Sequence, residues 1–256
     1  MEYMKDSRTT SGYDNQHNPL IKKIIAQFTK YLGDLTTKKE CISAERKAEL
    51  IKAAEELFKE KGFENTSVDD IIKRVGVAKG LFYYYFSSKE DMIDILTQRM
   101  LNEIESSVVA VIEMKGVSAT ERFVELLKSQ RDVGMRSETV IKYFSVTRNK
   151  SLHLELERLA HEILVPAFEV IIKQGIEEGV FDTKYPFETS HMLNMMIHAA
   201  MFNLRNDPDL ENIKRSLEVV QYLTEKLLGM EPGTFEAYHT FIKTACPELD
   251  HILNDE

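Results

Sequence analysis

The chain has 256 residues, 43% of them apolar and 29% charged, a balance that excludes both a disordered polymer and a membrane-embedded protein. Its 33 Lys and Arg against 42 Asp and Glu leave a net charge of −9, which excludes a uniformly basic nucleic-acid coat but not a local basic face. Only 11 Gly and 6 Pro are present, so turn formers are scarce and an all-α chain is favoured over a many-stranded sandwich.

Residues 1–18 are polar and read as a tail without the apolar run of a secretory signal. Pro19 then opens a short amphipathic stretch through Ile24, Ile25, Phe28 and Leu32, and residues 35–43 read as a linker. Cys41 and Cys246 lie near opposite ends with no metal-type spacing, so neither a disulfide framework nor a zinc site is expected. The most apolar stretch, Met192 to Leu204, is interrupted by Asn194, His198 and Asn203 and is too short to span a bilayer. These features predict a cytoplasmic protein with no cofactor and no metal.

From Ala44 the pattern sharpens. Leu50, Ala53, Ala54, Leu57 and Phe58 form one apolar stripe at helical spacing, ended by Gly62. Thr66 and Ser67 then offer N-cap hydroxyls, each with an aspartate three residues on, for a helix that turns Val68, Ile71, Ile72 and Val75 inward. Gly76 breaks it. A second short helix runs from about Ala78 to Phe86, with Phe82 and Phe86 four apart on its inner face, and Ser87 is expected to cap the next. Two short helices joined by a tight glycine turn, after a longer one, form a helix-turn-helix pattern.

In that arrangement the second helix lies in the DNA major groove with its first residues against base edges. The residue types suit the task. Lys79 can donate to guanine or phosphate, Gly80 allows close backbone approach, and Leu81 can meet a thymine methyl. Ala78, Tyr83, Tyr84 and Tyr85 complete the outward set, the phenols being donors to phosphate oxygens. Lys89, at the start of the following helix, combines its charge with free helix N–H groups, and Thr66 or Ser67 can do likewise from the preceding helix. Residues 44–89 hold nine basic and eight acidic side chains, a net +1, which leaves −10 for the rest; Lys73, Arg74, Lys79 and Lys89 make one basic face possible.

The pattern Thr66-Ser67-Val68-x-Asp70-Ile71, Gly76-Val77-Ala78-x-Gly80, Tyr83-x-x-Phe86 and Lys89 resembles the DNA-binding domain of the TetR family of bacterial transcriptional regulators over roughly residues 45–95. The resemblance implies an all-helical homodimer whose N-terminal domain binds operator DNA and whose larger C-terminal domain holds a small-molecule pocket. It also implies that Lys79, Gly80, Tyr83, Tyr85 and Lys89 fall at DNA-touching positions. Tyr84-Tyr85 departs from the family, where an aromatic followed by His is common, and so does the N-terminal extension. The expected organisation is an extension over 1–43, a helix-turn-helix domain over 44–91, and a ligand-binding and dimerisation domain over 92–256.

Beyond Lys89 the periodicity predicts helices over about 89–115, 119–134, 138–148, 152–178, 187–206, 210–228 and 235–245, with a kink or restart at Pro166. His191, Asn194 and His198 form a polar stripe on a helix otherwise rich in Met, Leu, Ile and Ala. The stripe reads as a pocket wall with Met195 as adaptable lining, or as a dimer seam or core histidines. Tyr143, His161 and Phe168 share that ambiguity. The resemblance implies dimerisation through helices 187–206 and 210–228, packed as a four-helix bundle with the second copy.

An enzyme reading rests on Glu188-x-x-His191 and Glu236-x-x-His239, the element repeated in di-iron bundles. Chance alone supplies roughly 0.8 such matches for seven histidines, and the second copy lies in a short segment between Pro232 and Pro247. No Gly-rich phosphate loop or Gly-x-Ser-x-Gly is present. The expected protein is a ligand-responsive regulator, repressor-type, not an enzyme, that binds a palindromic operator as a homodimer.

Overall fold

A computed structural model describes residues 40–146, 150–206 and 209–235, and the described helices belong to one compact unit. The amphipathic stretch after Pro19, the helix expected from Phe235 and the Glu236-x-x-His239 motif lie outside the described residues. Nine helices and no strand occur among those described: α1 (Glu40–Lys61), α2 (Val68–Val75), α3 (Lys79–Tyr85), α4 (Glu90–Ile112), α5 (Ala119–Arg136), α6 (Glu138–Val146), α7 (Lys150–Glu177), α8 (Pro186–Asn206) and α9 (Leu210–Leu227). The α1 helix starts at Glu40, four residues before Ala44, so the end of the expected linker is helical.

The first three helices each turn apolar side chains inward. Leu50, Ala54, Leu57 and Phe58 of α1, Ile71 of α2 and Phe82 of α3 are buried, as the i, i+3, i+4 pattern requires. Phe86 is buried beside Phe82, their ring centroids 5.5 Å apart. The turn between α2 and α3 depends on Gly76, whose φ of 78° lies in the left-handed region that side chains with a Cβ avoid. Its N–H and that of Val77 both donate to the Ile72 carbonyl, closing the end of α2.

Helix α4 leaves this head and runs about 34 Å into the larger C-terminal body, at 1.5 Å per residue. Its far end is gripped by Arg122 of α5. This buried guanidinium donates to the carbonyls of Ile112 and Met114, both at 2.7 Å, and to Gln174 of α7 at 2.8 Å. A cation at a helix C-terminus meets the negative end of the helix dipole and satisfies carbonyls that have no partner within the helix. The body core is filled by Phe123, Phe168 and Phe235, with Phe123 5.4 Å from each of the other two.

Helix α7 does not restart at Pro166; one helix carries the proline in its interior. The bond lost is the one to the Glu162 carbonyl, and Glu162 lies on the exposed side of α7. The most extensive helix contact is between α7 and α8, and α9 packs on α8. No helix among the described residues is long and apolar enough to cross a membrane.

Candidate nucleic-acid interface

Ser67 caps α2 as the spacing requires. Its hydroxyl accepts from the Asp70 N–H at 3.1 Å, and the Asp70 carboxylate accepts from the Ser67 N–H at 2.9 Å. Lys61 lies 2.8 Å from the same carboxylate. These donors, Lys61 first, hold the Asp70 carboxyl well below the usual carboxylate range.

Thr66 is buried, and its hydroxyl donates to the carbonyls of Gly62 (2.8 Å) and Leu57 (3.3 Å), so it closes the α1–α2 loop, an engagement the spacing does not predict, while the residue also lines an open cleft beside α3. Ser87 does not cap α4 either. Lys89 is the residue before the helix, and the Asp91 carboxylate of the first turn accepts from the Ser87 N–H at 2.6 Å.

Helix α3 presents the expected outward residues. Ala78 occupies its N-cap position without a side-chain cap, and Lys79 and Gly80 follow, all exposed. A side chain at Gly80 would meet nothing within 4 Å, so this part of the surface is open to close approach. Tyr83 and Tyr84 are exposed, and Leu81 and Tyr85 are half-buried. The Tyr84 and Tyr85 rings meet edge to face at 4.9 Å, which stiffens both.

An open cleft of about 420 Å³ lies beside α3, lined by Ser67, Tyr83, Ser87, Ser88 and Lys89, with the carboxylates of Glu64 and Glu90 also on its wall. It gathers residues from the starts of α2 and α4 and from the outer face of α3. Hydroxyl donors around one ammonium fit an anion such as a phosphate, and the two carboxylates oppose it.

The cations are less free than their number suggests. Arg74 makes a forked pair with Glu60 at 3.0 and 2.7 Å, which lowers the Glu60 carboxyl below its ordinary range and raises the guanidinium. Arg74 therefore ties α2 to α1, and the basic face expected from four residues is weaker by one. Lys79 lies 2.9 Å from Asp69, and that hydrogen bond raises the lysine pKa. Lys89 donates to the carbonyls of Phe63 (2.8 Å) and Thr66 (3.1 Å), with its ammonium 4.2 Å over the Phe63 ring. Phe63 and Asp69 are the residues sequence reasoning missed. A large aromatic side chain in an otherwise polar loop, between Gly62 and Ser67, was the available signal for the first.

The candidates for a small-molecule pocket do not gather around one centre. Tyr143 packs against Phe63 at 4.6 Å, on the head side of the body. Phe168 is buried in the body core. His161 and His191 do meet, at 4.7 Å, and Phe187 covers His191 at 4.4 Å. Burial first, and then His191, push the His161 pKa down. Asn194 is half-buried, whereas Met195 and His198 are exposed. Among the described residues no group of three or more His, Cys, Asp or Glu is placed to hold a metal ion.

The family described as bacterial regulatory proteins, tetR family, matches residues 50–95, and the tetracyclin repressor-like C-terminal domain matches residues 135–218. The uncharacterised HTH-type transcriptional regulator YfiR of Bacillus subtilis is 30% identical over 183 residues, which cover 68% of this chain and 89% of that protein. The HTH-type transcriptional repressor KstR2 of Mycobacterium tuberculosis is 39% identical over 151 residues, 53% of this chain and 69% of its own. Among solved structures, a TetR/AcrR-family regulator from Thermobifida fusca aligns with a TM-score of 0.54 and 27% identity, over 72% of this chain and 97% of its own. With the helix-turn-helix head, the long helical body and relatives that are regulators rather than enzymes, the chain belongs to the TetR family of DNA-binding bacterial transcriptional regulators.

Proposed function

We propose that the chain is a homodimeric, effector-responsive repressor that inserts α3 of each subunit into successive major grooves of a palindromic operator. One observation carries this reading: α3 turns Phe82 wholly inward and leaves Lys79, Gly80, Tyr83 and Tyr84 outward, next to the cleft of Ser67 and Lys89. In the complex Lys79, Gly80 and Leu81 meet base edges. Ala78 lets the helix start lie against the groove. Tyr83, Tyr84 and Tyr85 donate to flanking phosphates, and Ser67 and Lys89 hold a phosphate at the cleft. The name of the KstR2 relative, a repressor, supports the direction of control.

The outer faces of α8 and α9 support the homodimer. Met192 and Met195 of α8, and Val219, Tyr222 and Leu223 of α9, are exposed in one chain. Met192 and Met195 are three residues apart, and Tyr222 and Leu223 follow Val219 by three and four, so each helix carries an apolar stripe that a second copy covers with its own. The head and body then act as one two-state device. An effector that prefers the conformation with wrongly spaced heads lowers operator affinity by that preference. The acidic remainder of the chain discourages non-specific DNA contact outside the heads. Such a regulator works in the cytoplasm, where its operator is.

The test is selection of bound duplexes from a random-sequence library by the full-length protein, followed by sequencing. The expected product is an inverted repeat whose half-sites are separated by a multiple of about 34 Å along the duplex. An enriched single half-site, or no enrichment, contradicts the reading.

A further inference from the structure

Lys89 is the cation among the residues that line the proposed phosphate cleft, yet its geometry is set from elsewhere. Two of its three ammonium N–H groups go to the carbonyls of Phe63 and Thr66, and its charge lies over the Phe63 ring. That ring is in turn held from two sides. Phe58 of α1 stands 5.0 Å away, and Tyr143 of α6 meets it edge-on at 4.6 Å. A flexible four-carbon ammonium is placed here by a ring and two carbonyls, and the ring is placed by α6.

Tyr143 is therefore a point where the C-terminal body touches the loop that orients a head lysine. Its phenol is half-buried, and burial, with the charges of Glu90, Asp94 and Glu64, pushes its pKa up, so it is neutral at physiological pH. Lys59 of α1 and Glu138 of α6, 3.9 Å apart, mark a second and solvent-exposed contact of α6, here with α1 itself. Neither α2 nor α3 supplies a ring to this stack.

We propose that Tyr143 is a positioning residue for DNA binding: through Phe63 it holds the Lys89 ammonium at the cleft, so that movement of α6 changes the grip on a phosphate. The inference rests on Lys89 being a phosphate contact, and it adds the route by which the body regulates that contact. When α6 is in place, Lys89 keeps its third N–H for the anion. When α6 shifts, Phe63 loses one wall, the ring turns, and the lysine no longer meets DNA preorganised.

The experiment measures binding of the full-length protein to a duplex selected by the wild type, between about 50 and 200 mM salt. The variants are Lys89→Ala, Tyr143→Ala, Tyr143→Phe and the Lys89→Ala/Tyr143→Ala double. Tyr143→Ala is expected to weaken binding about 3- to 10-fold and to reduce the slope of log K against log salt by about one, the signature of one lost phosphate contact. Tyr143→Phe keeps the ring edge and is expected to bind like wild type. The double variant is expected to bind no worse than Lys89→Ala alone, because both changes remove one contact. Additive losses in the double variant, or wild-type affinity and slope in Tyr143→Ala, overturn the proposal. If Tyr143→Ala fails to fold, Phe63→Leu replaces it, with the same expected slope and the same non-additivity with Lys89→Ala. Failure of the underlying reading looks different: Lys89→Ala itself then leaves affinity and slope unchanged.

Discussion

Helix α3 and the outer faces of α8 and α9 leave large side chains about equally open to solvent. Tyr83 and Tyr84 are 53% and 75% exposed, and Met195 and Tyr222 are 58% and 51% exposed. Exposure alone does not separate them; their neighbours do. Tyr83 shares its cleft with Ser67 and Lys89, groups that donate to anions. The α8 and α9 stripe is thioether, aliphatic and aromatic carbon, which gains most by meeting its own kind. In the proposed function the first surface meets a charged and hydrated partner and the second meets another copy of the chain.

The comparison breaks first on the apolar side. Met195→Glu combined with Tyr222→Glu puts four carboxylates into the proposed dimer interface, because each change is felt twice across a two-fold axis. Buried like charges cost several kcal/mol, so the variant is expected to sediment as a monomer and to lose at least about 100-fold in operator affinity. A variant that stays dimeric at micromolar concentration moves the interface elsewhere.

A smaller effect sharpens the contrast, at the His161–His191 contact between α7 and α8. The folded-state pKa of His161 lies below the ordinary histidine value of 6.5. The unfolded chain therefore binds more protons in the window just below that value. Stability contributed by neutral His161 is present above about pH 6.5 and falls as acid is added. Thermal melting of wild type is expected to drop between about pH 7 and 5.5 more steeply than that of His161→Gln, with Glu162 nearby softening the difference. Parallel curves remove His161 from the account.

The head was largely legible because its rules are local. Ser67 with Asp70, Gly76 at the turn, and Phe82 with Phe86 are fixed by spacings of three and four residues or by one dihedral. What its local rules could not supply were partners far along the chain. Thr66 turns inward to a carbonyl nine residues back, Lys89 reaches carbonyls 23 and 26 residues away, and Arg74 is paired across fourteen residues with Glu60. Periodicity is blind to such distances.

The body was legible in its helices and not in their faces. Its helices follow from capping and breaks such as Ser118 with Glu121 and Pro186 at the first position of α8. Tyr143 was left open between a pocket wall and a packed position; the fold sets it against Phe63, and nothing between residues 63 and 143 in the sequence announces the pairing. The polar stripe divides by burial: His191 is half-buried against His161 of α7, whereas His198 is exposed.

The central claim is that α3 reads DNA. Its most direct test compares wild type with Lys79→Ala/Tyr83→Ala on the duplex that wild type selects, across a salt series. Loss of the lysine and phenol contacts is expected to weaken that binding by about 10- to 100-fold, at about 1–3 kcal/mol for a base-contacting pair. The preference over unrelated duplex should fall with it, and so should the salt slope. Full, equally salt-sensitive and equally selective binding by the variant would contradict the account and place the reading surface outside α3.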